Sequence, residues 1–296
     1  METSTSSRYK LIKKIKSDKF SVDDIQHYNL LLQIGARDFQ VAIIDSRNNS
    51  CLLLEDFVLA NIASNSQLVQ VLAEIVENHH LIAAGFWKSV KASVKNNKFS
   101  LVPSSLFVKE AMADYLKINV EVNPDAEEIL YYENIRSSSI TVFAVNKQLI
   151  DWVRSLYSNT ELGIVHQSST LIEGVLNTRQ SYPNNALFLY IDRFKLHIIS
   201  TKGNDIQYYN QFSIKQFSDY IKYIMLVVNG LQLSQKSTNV VLWGYIGKQS
   251  PHFTEFSKYI KNLSFGDRPN FLKFGYMFDE VQDHHFFDLY NVYLCE

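Results

Sequence analysis

The chain has 296 residues, of which 46% are hydrophobic and 20% are charged, and its formal net charge is −1. This composition allows one large core or two medium ones, and the near-neutral charge gives no overall field that would attract nucleic acid. The two cysteines, Cys51 and Cys295, form no CxxC motif and no metal-ligand spacing. A disulfide scaffold and a structural zinc site are therefore excluded, and we expect no metal and a reducing compartment.

The chain opens with a basic stretch, residues 1–19, which carries Arg8, Lys10, Lys13, Lys14, Lys16 and Lys19. This stretch lacks the apolar core of a signal peptide, and no apolar run in the chain approaches the roughly 20 residues that span a bilayer. We therefore expect a cytoplasmic protein without a transmembrane segment. For the basic stretch itself, the pattern favours a solvated arm or an edge strand over a membrane or nucleic-acid patch.

A strand-turn-strand pattern, LQIGARDFQVAIID, occupies residues 32–45. Part of it recurs: FQVAIIDSRNNSCLLLEDF, residues 39–57, aligns without a gap with FKLHIISTKGNDIQYYNQF, residues 194–212. The alignment pairs Phe39 with Phe194, and both turns are rich in residues that tolerate a positive φ. Because an apolar strand precedes each copy, each predicts a three-stranded antiparallel meander.

Helical patterns follow both meanders. After the first, one helical face carries Leu68, Leu72, Ile75 and Val76. After the second, one face carries Phe217, Ile221, Ile224, Val228 and Leu231. The strand NVVLWGYI comes next, and then a helix with Phe253, Phe256, Ile260 and Leu263. We predict an α/β protein with duplicated βββαβα halves, whose mixed sheets are flanked by helices and meet at a cleft where ligands can bind.

The middle of the chain, residues 140–176, reads ITVFAVNKQLIDWVRSLYSNTELGIVHQSSTLIEGVL and predicts a strand, a helix, a strand and a helix. Its first helix buries Leu149, Trp152 or Val153, and Leu156. This layout resembles the actin-like ATPase superfamily, which includes actin, Hsp70 and sugar kinases. It is most similar to the bacterial branch with the cell-division protein FtsA and the pilus-assembly protein PilM. It also resembles an uncharacterised bacterial family with a degenerate nucleotide site.

The resemblance covers residues 30–263 and implies two actin-like, ribonuclease H-like lobes. We place the basic arm at residues 1–19 and the first lobe at 20–182, with an inserted subdomain at about 80–135. The second lobe then covers residues 183–296. The resemblance also implies where a nucleotide would be held, between one hairpin from each lobe.

The superfamily holds ATP and Mg²⁺ with two hairpins of the pattern Asp-x-Gly, whose aspartates hold the metal and whose turn N–H groups bind phosphate. In the first hairpin of this chain, Gln33 takes the aspartate position and Gly35 keeps the glycine. In the second, which is two residues shorter, Tyr190 takes the aspartate position and Asp192 replaces the glycine. Both metal-side carboxylates are lost. Asp192 would either repel a phosphate or ligate a metal from a displaced position.

Two more motifs of the superfamily are altered or ambiguous. In VVLWGYIGK, Gly244 is present, but Tyr245 fills the second glycine position and either plugs the strand end or stacks on adenine. In HQSSTL, Gln167 stands where actin carries the glutamine that orients the attacking water. The same motif is equally a helix start whose N-cap is Ser168, Ser169 or Thr170. The vestigial cleft predicted from the resemblance consists of Gln33, Gly35, Arg37, Tyr190, Asp192, Arg193, Gly244 and Tyr245.

The missing carboxylates support one main hypothesis, a catalytically inactive actin-like protein without a cofactor. It would act as a binding or scaffold module for an unidentified protein or peptide, as the resemblance to PilM implies for the first lobe. The candidate partner-binding residues are Phe86, Trp87 and Phe107. Phe86 and Trp87 are equally candidate core residues. The alternative is a divergent ATP-binding protein or ATPase that uses ATP with Mg²⁺ and Gln167, and a small-molecule kinase is a third hypothesis.

Overall fold

The structure is a computed structural model that describes residues 8–182, 186–203 and 205–296. Within these residues the chain forms fifteen strands and seven α-helices, arranged as three sheets flanked by helices. The predicted mixed α/β class is confirmed. Three features of the sequence analysis involve positions outside the described residues. They are residues 1–7 of the basic stretch, the predicted lobe boundary at 182/183 and Asn204 of the second turn. No helix in the described part is both long and apolar enough to cross a membrane.

The first predicted meander is present. Its strands are β2 (Tyr28–Gly35), β3 (Asp38–Asp45) and β4 (Ser50–Leu59), and helix α1 (Asn65–Glu77) follows them. Every residue of β2 and β3 is buried. The reason is that helices cover one face of this sheet and the end of the chain covers the other, so the strands need no polar face.

The large sheet has the order β1-β4-β3-β2-β5-β9. Strand β15 (Lys273–Phe274) pairs in parallel with the first two residues of β4, while β1 pairs with the rest of that strand. Its edge strands are β1 (Tyr9–Lys16) and β9 (Leu162–His166), and β5 (Ser89–Lys95) lies beside β2. The basic stretch thus contributes an edge strand, in which Lys10, Lys14 and Lys16 are exposed and Ile15 is buried. Lysine-rich edges of this kind oppose unwanted strand pairing.

Two helices pack on one face of the large sheet as the periodicity predicted. In α1 the buried residues are Leu68, Val71, Leu72, Ile75 and Val76. In α3 (Lys147–Leu156) they are Leu149, Ile150 and Val153, and Trp152 and Leu156 are only partly buried. Both helices start at side-chain N-caps, Ser64 and Asn146, which satisfy N–H groups that lack a partner within the helix.

The second sheet has the order β12-β11-β10-β13-β14. Its elements are β10 (Leu187–Asp192), β11 (Lys195–Lys202), β12 (Asp205–Ser213), α5 (Phe217–Gly230), β13 (Asn239–Gly244), α6 (Pro251–Tyr259) and β14 (Asn262–Phe265). The predicted helix with Leu263 on its face is wrong at that residue. Helix α6 ends at Tyr259, and Leu263 lies on β14, which pairs in parallel with β13.

A separate three-stranded sheet forms the subdomain. It consists of β6 (Phe99–Pro103), β7 (Glu127–Asn134) and β8 (Ser139–Asn146) in the order β6-β8-β7, with helix α2 (Met112–Lys117) packed on it. The sequence placed this subdomain at about 80–135, whereas the sheet runs over residues 99–146. The difference arises because β5 belongs to the large sheet, where it pairs in parallel with both β2 and β9.

The end of the chain returns to the large sheet. The C-terminal segment, defined here as residues 271–295, contains α7 (Phe287–Asn291). Its Phe278, Leu289 and Tyr290 pack against Leu31 and Ile44 on the face opposite α1 and α3. The sequence assigned these residues to the second lobe, but they cover the sheet of the first, because that sheet is apolar on both faces. Helix α4 (Gln167–Thr178) packs against α7 and the second sheet.

Two adjacent aromatic residues of the first lobe provide a matched stability test. Trp87 is 4% exposed within the core of the large sheet, whereas Phe86 is 77% exposed. We expect Trp87→Ala to lower the free energy of unfolding by about 3–5 kcal/mol, because it leaves a cavity. Phe86→Ala should change it by less than about 0.5 kcal/mol. Urea denaturation measures both, and similar losses in the two variants would contradict the assigned packing.

Candidate functional site

The two hairpin turns predicted to hold phosphate lie opposite each other. Between them is a cavity of about 260 Å³, here called the turn cavity, lined by Gly35, Ala36, Arg37, Asp38, Lys95, Asp192, Arg193, Phe194, Lys195, Ser213 and Ile214. Four of the predicted cleft residues, Gly35, Arg37, Asp192 and Arg193, are thus brought together. A Cβ atom at Gly35 would overlap the Asp38 carboxylate, so this carboxylate covers the first turn closely.

A buried lysine joins the two sheets beneath this cavity. The side chain of Lys95, at the end of β5, is only 3% exposed, and its Nζ lies 2.7 Å from Asp38 Oδ2 and 3.1 Å from Asp192 Oδ1. Burial alone would lower the pKa of Lys95, but Asp192, Asp38 and Asp288 reverse this and raise it above its ordinary value. Burial opposes ionisation of Asp192 too, yet Lys95 and the Gln167 amide hold the pKa of Asp192 below its usual range. Both shifts favour the charged forms of Lys95 and Asp192.

Asp288, on α7, occupies the centre between the two hairpins. Its carboxylate accepts hydrogen bonds from the Gln33 amide, from the Tyr190 hydroxyl and, at 2.7 Å, from Gln167 Nε2. Burial raises the pKa of Asp288, and it also raises that of Tyr190, which keeps the phenol protonated as a donor. The two residues that replaced the metal-side aspartates are thus donors to a carboxylate from elsewhere in the chain.

A second set of polar contacts lies beside those of Asp288 and involves Arg193 of the shorter turn. Arg193 Nη2 donates to both oxygens of Asp56 at 2.9 and 2.8 Å, and its Nε lies 3.3 Å from Asp38 Oδ2. Its guanidinium stands 4.7 Å from the centre of the Tyr245 ring. The Gln40 amide donates to Asp56 at 3.2 Å and to the Tyr245 hydroxyl. Tyr245 is therefore held as part of a network that crosses between the sheets.

The end of β13 is closed by backbone and aromatic packing. Gly244 has a φ of +98°, and a Cβ there would overlap the backbone of Ile191, so glycine is required at this position. The preceding Trp243 stacks on Phe287 with ring centres 4.2 Å apart. The C-terminal segment therefore packs against the end of β13, where the Gly244 N–H also donates to the carbonyl of His284.

Gln167 is the first residue of α4, and its Nε2 donates to Asp192 at 2.9 Å as well as to Asp288. The amide is therefore committed to two carboxylates. The predicted N-cap at Ser168, Ser169 or Thr170 is wrong. The N-cap is His166, whose Nδ1 accepts a hydrogen bond from the Ser168 N–H at 3.1 Å.

Comparisons with known proteins agree with this architecture. The family described as "Protein of unknown function (DUF3822)" matches residues 17–263. The chain belongs to this family. No curated protein matches the sequence.

Solved structures place the DUF3822 chain in the actin-like fold. A Bacteroides thetaiotaomicron protein with an actin-like ATPase fold and unknown function is 16% identical with a TM-score of 0.77, covering 94% of this chain and 99% of that one. A chain of the PilM–PilN type IV pilus biogenesis complex is 13% identical with a TM-score of 0.58, covering 90% of this chain and 97% of that one. The actin-like fold and the likeness to PilM predicted from the sequence are confirmed.

The candidate partner-binding residues of the DUF3822 chain fall into different environments. Trp87 is a core residue, so its assignment to a binding surface is wrong. It lies two residues before β5, which is a central strand of the large sheet, and its side chain packs in the core of that sheet. Phe86 is exposed. Phe107 is half-buried on the subdomain, where its ring contacts those of Tyr115 and Tyr131.

Sequence reasoning missed the residues that tie the site together, namely Asp38, Gln40, Asp56, Lys95 and Asp288. For Lys95 the signal is weak, because the strand that it ends, β5, also contains Ser89, Lys91 and Ser93. For Asp288 the sequence offers no local signal. Its place depends on the return of the C-terminal segment to the large sheet.

The buried lysine provides a second stability test. Lys95→Met leaves Asp192 buried without its cation and Asp38 with only the contact to Arg193, and we expect a loss of about 3–5 kcal/mol in the free energy of unfolding. The matched control is Lys98→Met, which removes a partly exposed pair with Glu127 and should cost no more than about 1 kcal/mol. Adding Asp38→Asn and Asp192→Asn to Lys95→Met should recover part of the loss in urea denaturation. No recovery in the triple variant would contradict the charge argument.

Proposed function

We propose that this DUF3822 protein is a cytoplasmic actin-like protein that does not hydrolyse nucleotide and that acts by binding a partner polypeptide. One observation carries the first half of the proposal. The protein's own carboxylate, Asp288, sits between the two hairpins and accepts hydrogen bonds from Gln33, Gln167 and Tyr190.

The residues present do not fit Mg²⁺ and a nucleotide as the superfamily holds them. Phosphates brought between the hairpins would meet the carboxylate of Asp288 in a buried site, where repulsion between like charges is strong. The remaining carboxylates nearby, Asp38, Asp56 and Asp192, are each engaged by a cation. Releasing one of them to ligate a metal would leave a buried cation without its partner, which is costly.

The contacts between the sheets also oppose a nucleotide-driven motion. Lys95 to Asp192 and Arg193 to Asp56 are ion pairs that join the large sheet to the second sheet. Opening a cleft at this point would break them and expose the Asp288 network. A rigid pair of lobes suits a binding module better than an enzyme whose cycle depends on closure around its substrate.

The second half of the proposal concerns the partner. The actin-like fold neighbour PilM was solved in a complex with PilN, which supports a polypeptide partner for this chain. In this chain the subdomain and the edge strand β9 enclose an opening of about 440 Å³, here called the subdomain groove. It is lined by Leu130, Tyr131, Tyr157, Leu162 and Ile164 together with the polar Arg154 and Ser158.

The apolar surface extends beyond the subdomain groove at both ends. Tyr131 is 42% exposed, and its ring centre lies 5.1 Å from that of Phe107. At the other end, Thr160 donates a hydrogen bond to the carbonyl of Gly85 at 3.2 Å, which places exposed Phe86 beside the start of β9. Aromatic side chains around a half-open groove are typical of peptide-binding surfaces, and the free edge of β9 offers main-chain groups to an extended segment.

Nucleotide binding is tested directly by thermal unfolding. We expect millimolar ATP with MgCl₂ to raise the Tm no more than the same concentrations of inorganic phosphate and MgCl₂, because Asp288 and Phe287 fill the cleft. A bound ligand at 100 times its Kd would add about 2.7 kcal/mol and would be readily detected. A larger shift with ATP that disappears on adding EDTA, or phosphate release above background, would support the ATPase alternative instead.

Partner binding is tested by surface variants in a pull-down from the native source. We expect Phe107→Ser and Tyr131→Ser each to weaken capture of a partner by about tenfold or more, the loss of a typical aromatic hot spot. The control Tyr276→Ser replaces an aromatic residue that is 70% exposed on the C-terminal segment and should leave capture unchanged. A partner that survives both groove variants but is lost with Tyr245→Phe would place the binding site in the interlobe cleft.

A further inference from the structure

The sheet of the subdomain has two outer strands, β7 and β6, which face different parts of the molecule. Strand β7 borders the subdomain groove. Strand β6 faces β12, the outer strand of the second sheet, across a separate opening of about 430 Å³, here called the edge groove. Its walls include Leu101, Val102 and Pro103 of β6 and Ile206, Tyr208 and Tyr209 of β12. The edge groove thus lies between the subdomain and the second lobe.

Strand β6 directs unpaired main-chain groups into the edge groove. Along an edge strand, successive residues direct their N–H and C=O alternately toward the paired strand and away from it. The Ala144 N–H donates to the carbonyl of Lys98 at 2.9 Å, and in this register the even-numbered residues of β6 bond β8. Leu101 therefore directs its N–H and C=O outward. Pro103 stands at the next outward position, where a missing N–H removes no bond of the sheet.

The opposite wall has the same property. The Ile214 N–H donates to the carbonyl of Phe194 at 2.8 Å, and in this register the even-numbered residues of β12 down to Tyr208 bond β11. Tyr209 therefore directs its main-chain groups away from its own sheet. Within residues 8–182, 186–203 and 205–296, no strand pairs with the outer edge of β6 or of β12. Both walls thus present main-chain donors and acceptors that another strand could engage.

The sequence of β12 lacks the features that protect the edge strand β1. Strand β1 carries several lysines, whereas Asp205–Ser213 contains no lysine and no proline, and its one charged residue is Asp205 at the start. The bulge of this strand, at Gln207, is confined to its first three residues. A long edge with so little charge is open to pairing with another chain. The contrast with β1 indicates that β12 is suited to a strand partner.

Contacts at the two ends keep the walls of the edge groove apart. At one end the rings of Phe99 and Tyr209 meet edge to face with centres 5.6 Å apart. At the other end the Ser138 N–H donates to Asp205 Oδ1 at 3.1 Å. Between them β6 runs for about 13 Å, roughly the length of four extended residues. Asp205 is the one charged side chain among the described residues that line the groove.

We propose that the edge groove binds a short extended segment of a partner polypeptide, which inserts as a strand between β6 and β12. An extended main chain repeats its donors and acceptors every two residues, as both walls do, so it can bond Leu101 on one side and Tyr209 on the other. The lining favours apolar side chains in the segment, and Asp205 favours a lysine or arginine at its own end of the groove. This site is separate from the subdomain groove and does not depend on binding there.

Hydrogen exchange of the intact protein, followed by NMR, tests whether the two edges are free. The amides of Leu101 and Tyr209 should exchange at least about tenfold faster than those of Val102 and Asn210, because the last two bond β8 and β11. Equal protection of all four amides would show that the edges are already paired and would overturn the proposal.

The probe for binding is a library of random dodecapeptides displayed on phage and selected on the intact protein. Selected peptides should slow the exchange of the Leu101 and Tyr209 amides. Leu101→Pro removes the outward N–H and places a ring at the edge, so it should weaken these peptides by about tenfold or more. Leu101→Val keeps the N–H and should bind normally. Selection on Asp205→Asn, which retains an acceptor for Ser138, should lose the enrichment of lysine and arginine.

The outcomes separate this site from the subdomain groove. Selected peptides that bind Leu101→Pro as well as the original protein, or that protect neither amide, would contradict the proposal. Peptides lost with Tyr131→Ser but retained by Leu101→Pro would lie in the subdomain groove, which would support the function proposed above and refute this inference. If Leu101→Pro does not fold, the protection of the two amides in the intact protein decides.

Discussion

The burial of one ammonium group, that of Lys95, constrains the rest of the site. A lysine that is 3% exposed is tolerated only with carboxylate partners at close range. Its two partners belong to different sheets, Asp38 to the large sheet and Asp192 to the second. The contact between the lobes at this point therefore gives Lys95 its second carboxylate. Gln167 donates a hydrogen bond to Asp192, and the Arg193 guanidinium forms an ion pair with Asp38.

At the same site, hydrogen-bond donors stand at two positions where the resemblance implies acceptors. In the superfamily that this fold resembles, the positions of Gln33 and Tyr190 carry carboxylates that hold a cation. Here an amide and a phenol stand at those positions and donate hydrogen bonds to a carboxylate, Asp288. The two substitutions are coupled to the return of the C-terminal segment. Without Asp288 the Tyr190 hydroxyl would be a buried donor without this acceptor, at a cost of roughly 1–3 kcal/mol, and Gln33 Nε2 would keep only its bond to Gln40. We therefore regard the altered hairpins and the C-terminal segment as one structural unit.

The parts of this architecture that the sequence predicted are those that depend on local pattern. The meanders and the apolar faces of α1 and α3 follow from spacing, whereas the interest of Gln33 and Tyr190 came from the resemblance to the superfamily. The role of Asp288 does not, because its partners lie up to 255 residues away in the chain. Trp87 was misassigned for a related reason. It follows a loop without periodicity, and only the pairing of β5 between two other strands shows that the chain turns inward there.

The distribution of polar contacts separates two regions with different properties. Around Lys95 and Asp288 the side chains engage one another across the two lobes, so a substitution there changes stability before it changes any surface. The subdomain groove lies away from this centre, and its side chains Tyr131 and Phe107 take no part in the ion pairs that join the lobes. A substitution in the groove can therefore change a binding surface while the contacts between the lobes stay intact.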